Sequence, residues 1–595
     1  MPPPRSPYAH LPVSPINCPD QFNFARDIVD AHAKRLPDAT ALHWVSQDLS
    51  TCHQLSYSHF SRRSNLIAKV LSDLGLQAGD LLILILPRLP EWWELATACL
   101  RMGVILCPCT TLLVDKDIEY RLNVSGAAAF VGDEVAVGKM LKIRDRCKSL
   151  KHVIQINSVY TSNPRASVPA NVIDFHASID KVPSVTTYDV PSSLKPTSPA
   201  LSFFTSGTTG PPKLVLHSQV SYPLAHALTG THWLRLRPPP QQSLYWNLSE
   251  QGWAKAAWSF FSTWNCGASL FVHDDRQPFS AKRTLQVLAK FPITTLCAPP
   301  TVWRQLVLDE NRKLIESGGL RPRSLKHATG AGEPLNESVI RRWKEIMGME
   351  ICDGYGQTES ILVCANQEGK EVRYGSMGKP LPGVPLTILD ENGQEQRVDQ
   401  EGDIAIEVLD RGRQTFMGLF DGYIDMKTGK LDRKLREFGH GDHARQFYLT
   451  GDRAWRDKDG YFWFVGRSDD VINSSGYRIG PFEVESTLKL HPAVVESAVV
   501  ASPDPQRDEV VKAFVVLTDG AAQALKTKGD TGQEELTREL QDFCKENAAP
   551  YKYPRKVQFV DASFLPKTIS GKIRRAELKK MEKDLYQKEK VKAKL

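Results

Sequence analysis

The chain has 595 residues, of which 41% are hydrophobic and 24% are charged, which excludes collagen-like, mucin-like and mostly disordered chains. Its 75 basic and 68 acidic residues leave a net charge of +7. The segment 572–595 contributes +6 of that charge, with ten Lys or Arg against four Asp or Glu. The rest of the chain is close to neutral, so we expect neither a nucleic-acid partner nor a membrane-coating surface.

The first residues, 1–23, are rich in proline and are predicted to be irregular, without the apolar core of a secretion signal. The longest aliphatic run, 81–86, is far shorter than the roughly 20 residues that a membrane helix needs, so we expect no stable membrane insertion. The eleven cysteines have irregular spacings and are predicted to be reduced thiols of an intracellular protein.

From residue 24 onwards, strand-like runs alternate with helical stretches. The run 81–86 predicts a buried strand, 91–101 a helix and 104–107 the next strand, and the same alternation returns at 269–272, 282–290 and 294–297. This pattern predicts an α/β fold in which parallel-rich sheets are layered with helices, in a large domain over 24–468.

A different pattern follows in the last part of the chain. Strands are predicted at 494–501, 510–517 and 557–560, with a helix at 534–547. We therefore expect a small, mobile α+β domain over 469–580, followed by a basic tail over 581–595.

The segment Thr205–Lys213 combines hydroxyl residues, glycines and a lysine between two strand-like runs. Glycine lets backbone N–H groups approach a phosphate, hydroxyls donate hydrogen bonds and lysine supplies charge, so the segment suits a polyphosphate. It does not match the spacing of a Walker A loop. Taken alone, an ordinary polar hairpin loop explains it equally well.

Other segments carry polar groups next to glycine or an aromatic ring. Tyr355, within 353–360, could stack on a purine, and Glu359 could bind Mg²⁺, which takes one or two carboxylates plus phosphate oxygens. The turn 330–334 could pass close to the same ligand, and Asp452, after a strand-like run, suits ribose hydroxyls. Each could alternatively be a solvated surface turn.

The segments 466–481 and 566–572 complete the set, the second as a loop lysine flanked by glycine. In this order, over roughly 24–580, the segments resemble the adenylate-forming superfamily of acyl- and aryl-CoA synthetases, adenylation domains and luciferases. Trp246, the run 252–258 and the run 474–481 are most similar to the medium-chain acyl-CoA synthetase group.

The resemblance implies an ATP-dependent carboxylic acid–CoA ligase that uses ATP, Mg²⁺ and coenzyme A. The acid would attack the α-phosphate of ATP to give acyl-AMP and pyrophosphate, and coenzyme A would then release AMP. Medium-chain, branched or aromatic acids are the expected substrates. The alternative is an adenylating enzyme that passes its acyl group to a carrier protein.

Carried over residue by residue, the resemblance implies catalytic roles for Lys572, Thr358 and Glu359, with Glu359 as the metal ligand. Lys572 would bridge the carboxylate and the α-phosphate. The implied ATP-binding residues are Thr205, Ser206, Gly207, Thr208, Thr209, Gly210, Lys213, Gly332, Glu333, Pro334, Asp353, Gly354, Tyr355, Gly356, Gln357, Asp452 and Arg467.

The implied hinge for rotation of the small domain between the two half-reactions is Asp469. The implied coenzyme A-binding residues are Ser474, Ser475, Gly476, Arg478, Arg507, Tyr553 and Arg555. Singly, each arginine would be interpreted as a solvated surface residue. The expected acyl pocket involves Trp246, Trp253, Lys255 and Trp258, although tryptophan is also a common core residue.

Two features depart from the resemblance. The segment 423–447 is longer and more charged than expected and is predicted to be a surface insertion, with a weak alternative of a metal site at His440 and His443. The last residues, Ala593, Lys594 and Leu595, are close to a peroxisomal address, which predicts recognition by a peroxisomal import receptor and a peroxisomal location, otherwise a cytoplasmic one.

Overall fold

The computed structural model describes residues 18–161, 166–205, 212–367, 369–410, 413–425, 428, 430–439, 444–474, 477–505, 507–548, 551–567 and 572–592. Its described part divides into two compact units. The first lies within 1–205, 212–386 and 406–448, and the second within 387–405 and 449–595. The domain boundary predicted between 468 and 469 stays a prediction.

The strands are numbered in chain order. Those of the N-terminal part are β1 (Thr40–Val45), β2 (Cys52–Ser56), β3 (Leu81–Ile85), β4 (Ile105–Pro108), β5 (Ala129–Gly132), β6 (His152–Gln155), β7 (Ile173–Asp174), β8 (Pro199–Thr205), β9 (Lys213–Ser218), β10 (Leu244–Asn247), β11 (Ser269–His273), β12 (Thr295–Ala298), β13 (His327–Ala331), β14 (Ile351–Gly356) and β15 (Leu362–Ala365). The later strands are β16 (Lys379–Pro380), β17 (Leu386–Leu389), β18 (Gly402–Asp410), β19 (Arg413–Gln414), β20 (Gly422–Asp425), β21 (Lys430–Asp432), β22 (Leu435–Phe438), β23 (Arg445–Arg456), β24 (Phe462–Arg467), β25 (Ile472–Ser474), β26 (Tyr477–Ile479), β27 (Val494–Asp504), β28 (Asp508–Leu517) and β29 (Lys556–Phe559).

The α-helices are α1 (Ala31–Arg35), α2 (Tyr57–Asp73), α3 (Glu91–Met102), α4 (Asp115–Ser125), α5 (Glu134–Leu141), α6 (Phe175–Ile179), α7 (Ala254–Asn265), α8 (Ala281–Lys290), α9 (Pro300–Leu306), α10 (Asp309–Glu316), α11 (Glu337–Met347), α12 (Pro481–Leu488), α13 (Asp519–Asn547) and α14 (Arg575–Lys592). Three short π-helical segments occur at Ala25–Asp30, Val220–Leu224 and Thr229–Trp233.

Two nine-stranded sheets form the frame of the first unit. One has the order β16-β15-β14-β13-β12-β10-β11-β1-β2, and the other has the order β21-β20-β9-β8-β4-β3-β5-β6-β7. Their central strands are parallel, as βαβ crossovers require, and antiparallel strands lie at the edges. The predicted α/β class with parallel-rich sheets is confirmed.

Burial explains the central elements of this unit. All five residues of β3 are buried between the parallel strands β4 and β5, so the strand is apolar on both faces instead of alternating. Helix α3 is buried over its whole length and ends at Gly103, whose φ of +77° suits a left-handed C-terminal cap. The strand and helix predicted at 81–86 and 91–101 are therefore confirmed.

A further antiparallel sheet has the order β17-β18-β23-β22, with β19 beside β18 and β24 beside β23. The second unit contains a sheet of order β26-β25-β28-β27, with β29 parallel to β28. Helix α12 and the end of α13 cover one face through Val484, Leu488, Leu540 and Cys544. This is the predicted α+β pattern, although α13 begins at Asp519 instead of near residue 534.

Among the described residues, none of the helices is both long and apolar enough to cross a membrane.

Candidate active site

The carboxyl ends of four neighbouring parallel strands meet at one edge of the first sheet. β10, β12, β13 and β14 run in the same direction, with Ala298 opposite Gly330 and Gly330 opposite Asp353. Ligands of open α/β sheets bind outside this edge. The fold therefore brings together Trp246, the turn after β13 and the segment 353–357, which are far apart in the sequence.

The turn after β13 has a conformation that favours glycine. Gly332 has a φ of +107°, which strains any side chain with a Cβ. The Nζ of Lys255 donates a 2.6 Å hydrogen bond to the carbonyl of Ala331, which fixes the turn against the start of α7. Glu333 forms an ion pair of 3.8 Å with Arg304.

Strand β14 carries the segment expected to enclose adenine. Burial raises the pKa of Asp353 to about 7, although backbone N–H groups, including that of Gly354 at 3.0 Å, donate to its carboxyl group. A Cβ on Gly354 would lie 2.8 Å from the ring of Trp233, so only glycine fits there. Tyr355 is half-buried. The Oη of Tyr448 donates to Oε1 of Gln357 at 3.2 Å.

A buried histidine fixes the loop that contains Thr358 and Glu359. Nε2 of His217, on β9, donates to the carbonyl of Thr358 at 2.7 Å, and its Nδ1 lies 3.2 Å from Oγ of Ser221. Burial lowers the pKa of His217 to about 4, so the ring is neutral at physiological pH. Because a carbonyl only accepts, Nε2 carries the proton.

The carboxylate of Glu359 is half-buried and accepts a hydrogen bond of 2.7 Å from Oη of Tyr423. Its second oxygen, Oε2, has no hydrogen-bond partner among the residues that the structure describes. No cluster of three or more His, Cys, Asp or Glu able to hold a metal occurs in the described part of the chain. A single carboxylate is nevertheless enough for Mg²⁺ when phosphate oxygens and water complete its shell.

The strands on both sides of the segment predicted to bind phosphate form a hairpin. β8 and β9 are antiparallel, and Thr205, the last residue of β8, pairs with Lys213, the first residue of β9. Oγ1 of Thr205 donates to the carbonyl of Lys213 at 3.5 Å. Ser206, Gly207, Thr208, Thr209 and Gly210 lie outside the described residues, so their predicted contacts with phosphate stay predictions.

Asp452, which is predicted to bind the ribose, and Arg467, which is predicted to bind ATP, are cross-strand neighbours in the second unit. Asp452 on β23 pairs with Arg467 on β24, and Nη1 of Arg467 lies 3.4 Å from Oδ1 of Asp452. Asp452 is buried. Asp469, the predicted hinge, lies at the end of the same segment and accepts a hydrogen bond at its carbonyl from Nζ of Lys579.

The predicted coenzyme A residues that can be placed lie in the second unit. Ser474 is buried on β25, and the backbone N–H of Arg507 donates to Asp504 at 3.0 Å. Nη1 of Arg555 donates to Oη of Tyr553 at 2.7 Å and its guanidinium covers the same ring. Ser475, Gly476 and the side chain of Arg478 lie outside the described residues.

Lys572 is exposed and lies three residues before Arg575, the first residue of helix α14. The helix start is fixed by Arg575, whose guanidinium makes hydrogen bonds of 2.6 and 2.8 Å to the buried carboxylate of Glu485. Such a bidentate, charge-assisted pair is geometrically well defined. The exposed lysine is therefore attached to a well-anchored helix.

The four predicted acyl-pocket residues do not line a single cavity. Trp246 lines a small cavity together with Trp93 and Ser259. Trp258 packs elsewhere, stacked on His226 with ring centres 6.0 Å apart. Trp253 caps helix α7, and Lys255 contacts Ala331 as described above. Their role in binding the acid stays a prediction.

Sequence reasoning missed His217, Tyr423 and Tyr448. His217 and Thr358 are 141 residues apart in the chain, and Tyr423 and Glu359 are 64 apart, so no local spacing connects them. Tyr423 is also the first residue of the segment that the sequence predicts to be a surface insertion. The glycine that precedes it could have indicated a structured strand start, but not a contact with Glu359. His440 and His443 lie outside the described residues.

Comparison with known proteins identifies the family. Residues 29–420 match the family described as AMP-binding enzyme, and residues 483–572 match the AMP-binding enzyme C-terminal domain. The human acyl-coenzyme A synthetase ACSM3, mitochondrial, is 42% identical over 576 residues, covering 95% of this chain and 91% of the relative. The human acyl-coenzyme A synthetase ACSM4, mitochondrial, is 44% identical over 573 residues, with coverage of 95% and 91%.

Solved structures agree with this result. The anthranilate CoA ligase AuaEII in complex with anthranoyl-AMP superposes with a TM-score of 0.77 at 26% identity, covering 96% of this chain and 98% of that one. An acyl-CoA synthetase from Brucella canis gives a TM-score of 0.67 at 32% identity, with 96% of each chain covered. The predicted fold class, resemblance and enzyme class, an acid–thiol ligase, are confirmed.

One prediction is wrong. The relatives carry the word mitochondrial in their names, which points away from a peroxisomal location and from a peroxisomal import receptor. Residues 593–595, on which that prediction depended, lie outside the described residues. A small residue followed by lysine and leucine is short enough to end a basic tail by chance. By sequence and by fold, the chain belongs to the AMP-binding enzyme family.

Proposed function

We propose that the chain activates a medium-chain, branched or aromatic carboxylic acid at the strand edge described above and transfers it to coenzyme A. The carboxylic acid–CoA ligase activity itself follows from the family and its relatives. The observation that carries the site assignment is the meeting of the turn at Gly332, the segment 353–357 and the Glu359 loop at one sheet edge.

In the first step, a carboxylate oxygen of the acid attacks the α-phosphorus of ATP and pyrophosphate leaves. In the second step, the thiol sulfur of coenzyme A attacks the acyl carbon and AMP leaves with the bridging oxygen. Little covalent chemistry is required of the protein in the first step, so positioning and charge stabilisation supply most of the catalysis.

The first unit contributes the groups for adenine and the phosphates. Tyr355 offers a half-buried ring, and the glycine turn at Gly332 allows close approach of a flat base. Neutral His217 holds the Thr358 carbonyl, which fixes the Thr358 side chain for the α-phosphate or the acid. Lys213 begins β9 with an exposed ammonium for the outer phosphates.

Glu359 is proposed to hold Mg²⁺, because its half-buried carboxylate keeps Oε2 without a described partner. When bound, the cation neutralises charge on the phosphate oxygens. In the second unit, Asp452 and Arg467 are proposed for the ribose, and Lys572 for the charge on the carboxylate and α-phosphate. Arg478, Arg507 and Arg555 are proposed for the phosphates of coenzyme A, because guanidinium matches phosphate geometry.

The size of the acid is part of the proposal. Support comes from the bulky side chains of Trp246 and Trp258 near the start of α7, and from the structural likeness to a ligase whose title names an aromatic acid. Trp246 also borders a small cavity.

The test is AMP formation from ATP and Mg²⁺ with straight-chain acids of increasing length and with aromatic acids, each with and without coenzyme A. We expect coenzyme A-dependent AMP release that is strongest with medium-chain or aromatic acids. Acid-dependent pyrophosphate exchange without turnover on coenzyme A would instead indicate a carrier-protein acceptor. Absence of both reactions across the panel would contradict the proposal.

A further inference from the structure

Tyr423 contacts two oppositely charged side chains of the first unit. Its Oη donates a 2.7 Å hydrogen bond to Oε1 of Glu359, and Nζ of Lys213 lies 5.1 Å from the centre of its ring. A cation within about 6 Å of an aromatic ring face is attracted to it. One side chain therefore binds a carboxylate at its tip and an ammonium at its face.

The pairing of β20 with β9 places Tyr423 in this position. β20 pairs antiparallel with β9, and Tyr423 lies opposite Val215. Because side chains alternate along a strand, Lys213 lies on the same face as Val215 and is a diagonal neighbour of Tyr423. A backbone hydrogen bond also joins the Glu359 loop to the segment just before β20: the N–H of Phe420 donates to the carbonyl of Glu359 at 2.8 Å.

The Tyr423 ring also packs against the ring of Phe420. Phe420 packs edge-on against Tyr423 with ring centres 5.0 Å apart. In the described part of the chain, no ion pair joins Lys213 directly to Glu359. The two charged groups, which would attract each other if they met, are each in contact with Tyr423 instead.

A second Tyr–Lys–Glu group in the same unit provides a contrast. Oη of Tyr374 donates to Oε1 of Glu350 at 3.0 Å, and Nζ of Lys344 lies 5.9 Å from the centre of the Tyr374 ring. There, Lys344 and Glu350 also form a direct ion pair of 2.9 Å. Glu350 directly precedes β14, at the strand end opposite to Tyr355. The same three residue types thus have two arrangements, and only the one at the proposed site keeps its charges apart.

We propose that Tyr423 is a positioning residue that prevents Lys213 from pairing with Glu359 and holds Oε1 of that carboxylate. Oε2 is thereby kept for a divalent cation and the ammonium for phosphate oxygens. This inference rests on the proposed function, because the roles of Glu359 and Lys213 belong to it. The separation of the Lys213 ammonium from the Glu359 carboxylate can be tested without metal or nucleotide.

The first experiment uses a carbodiimide, which joins amines and carboxylates that are in direct contact, on the full chain without ATP or Mg²⁺. In Tyr423→Leu we expect a new amide between Lys213 and Glu359, detected by peptide mass spectrometry and absent from wild type. The Lys344–Glu350 amide should form equally in both proteins and is the internal control. Equal Lys213–Glu359 amide yields in wild type and variant would overturn the proposal.

The second experiment measures acid-dependent exchange of pyrophosphate into ATP as the Mg²⁺ concentration is varied. Tyr423→Phe keeps the ring and loses the hydrogen bond to Glu359. We expect it to need about tenfold more Mg²⁺ for half-maximal exchange and to recover the wild-type maximum at saturation. Tyr374→Phe, which loses the matching bond to Glu350, should behave as wild type.

An unchanged Mg²⁺ requirement in Tyr423→Phe, or a lower rate that excess Mg²⁺ does not restore, would overturn the inference. Failure of the proposed function is distinguishable from these results. It would appear as wild-type exchange that is independent of Mg²⁺, or as Glu359→Gln with the wild-type Mg²⁺ requirement, whereas the carbodiimide result does not depend on either.

Discussion

Asp353 illustrates how a single buried group at the site changes stability with pH. Its carboxyl lies on β14, an inner strand of the first sheet, where burial raises its pKa to about 7. In the unfolded chain the group ionises near its ordinary value of 3.8. Between these two values the folded state binds more protons than the unfolded state, so this group makes the protein less stable as pH rises from about 4 to about 7.

We expect Asp353→Asn to remove this dependence, because the amide keeps an acceptor oxygen for the Gly354 N–H and carries no charge. Relative to wild type, the variant should gain roughly 2–3 kcal/mol more stability at about pH 8 than at about pH 5. Denaturant unfolding of the nucleotide-free protein at both pH values measures this difference. An equal effect at both values would show that Asp353 ionises as it does in the unfolded chain.

The residue types of the site could be predicted from the sequence, but their neighbours could not. Glycines, hydroxyls and lysine at 205–213 indicate a phosphate segment because their chemistry is local. The contact of His217 with Thr358 depends on the pairing of β9 and on the path of a loop 141 residues later. Only the three-dimensional fold determines such a contact.

Among the elements, helix α13 differs most from its predicted extent. It runs from Asp519 to Asn547, but Gly529, at φ +60° and ψ −143°, interrupts it, so two helical stretches meet at a kink. The polar first stretch has no apolar periodicity, which is why only the part from about residue 534 could be predicted. Its start is instead marked by Thr518, whose side chain accepts a hydrogen bond from Ala521 N–H.

Two glycines of α13 give a matched test of this kink. Neither Gly520 nor Gly529 has an atom within 4 Å of the position of an added Cβ, so the two differ in backbone conformation and not in space. Gly529→Ala should destabilise the protein by about 1–3 kcal/mol, because alanine is strained at that conformation. Gly520→Ala should stabilise it by about 0.5–1 kcal/mol. Chemical denaturation measures both, and a stabilising Gly529→Ala would contradict the kink.

The sheet edge that carries the candidate active site could be predicted only in part: the strands could be predicted, but their order in the sheet could not. Alternation of strands and helices indicates parallel sheets, and the strands at 81–86, 269–272 and 294–297 are confirmed. The order of strands is not local information: β10 lies between β11 and β12, although it precedes both in the chain. The length and charge of the segment 423–447 predict a surface insertion, yet its first residue, Tyr423, contacts Glu359.

For the molecule as a whole, the residues predicted to act in catalysis and binding are divided between the two units. Thr358, Glu359 and Lys213 belong to the first unit, whereas Asp452 and Lys572 belong to the second. The two half-reactions require different groups, and the predicted rotation about Asp469 would supply them in turn. The family and the reaction class could be predicted from ordered motifs, whereas the location was predicted from three terminal residues and was wrong.

Lys572→Ala tests whether Lys572 is needed for adenylation but not for thioester formation. We expect the rate of adenylation, measured as pyrophosphate exchange, to fall by at least about a hundredfold. The reason is that a charge that stabilises the transition state is lost. Thioester formation from supplied acyl-adenylate should stay within about threefold of wild type, since the phosphoryl-transfer step is bypassed. Lys567→Ala, an exposed lysine on the same loop, is the control. Equal losses in both half-reactions would contradict the assignment.

The most direct measurement is the fate of oxygen from the acid. An acid labelled with oxygen-18 in its carboxylate is turned over with ATP, Mg²⁺ and coenzyme A, and the products are examined by mass spectrometry. A route through acyl-adenylate places one labelled oxygen in AMP and leaves the other in the thioester carbonyl. Label in orthophosphate or pyrophosphate, or AMP without label, would contradict activation of the acid by adenylation.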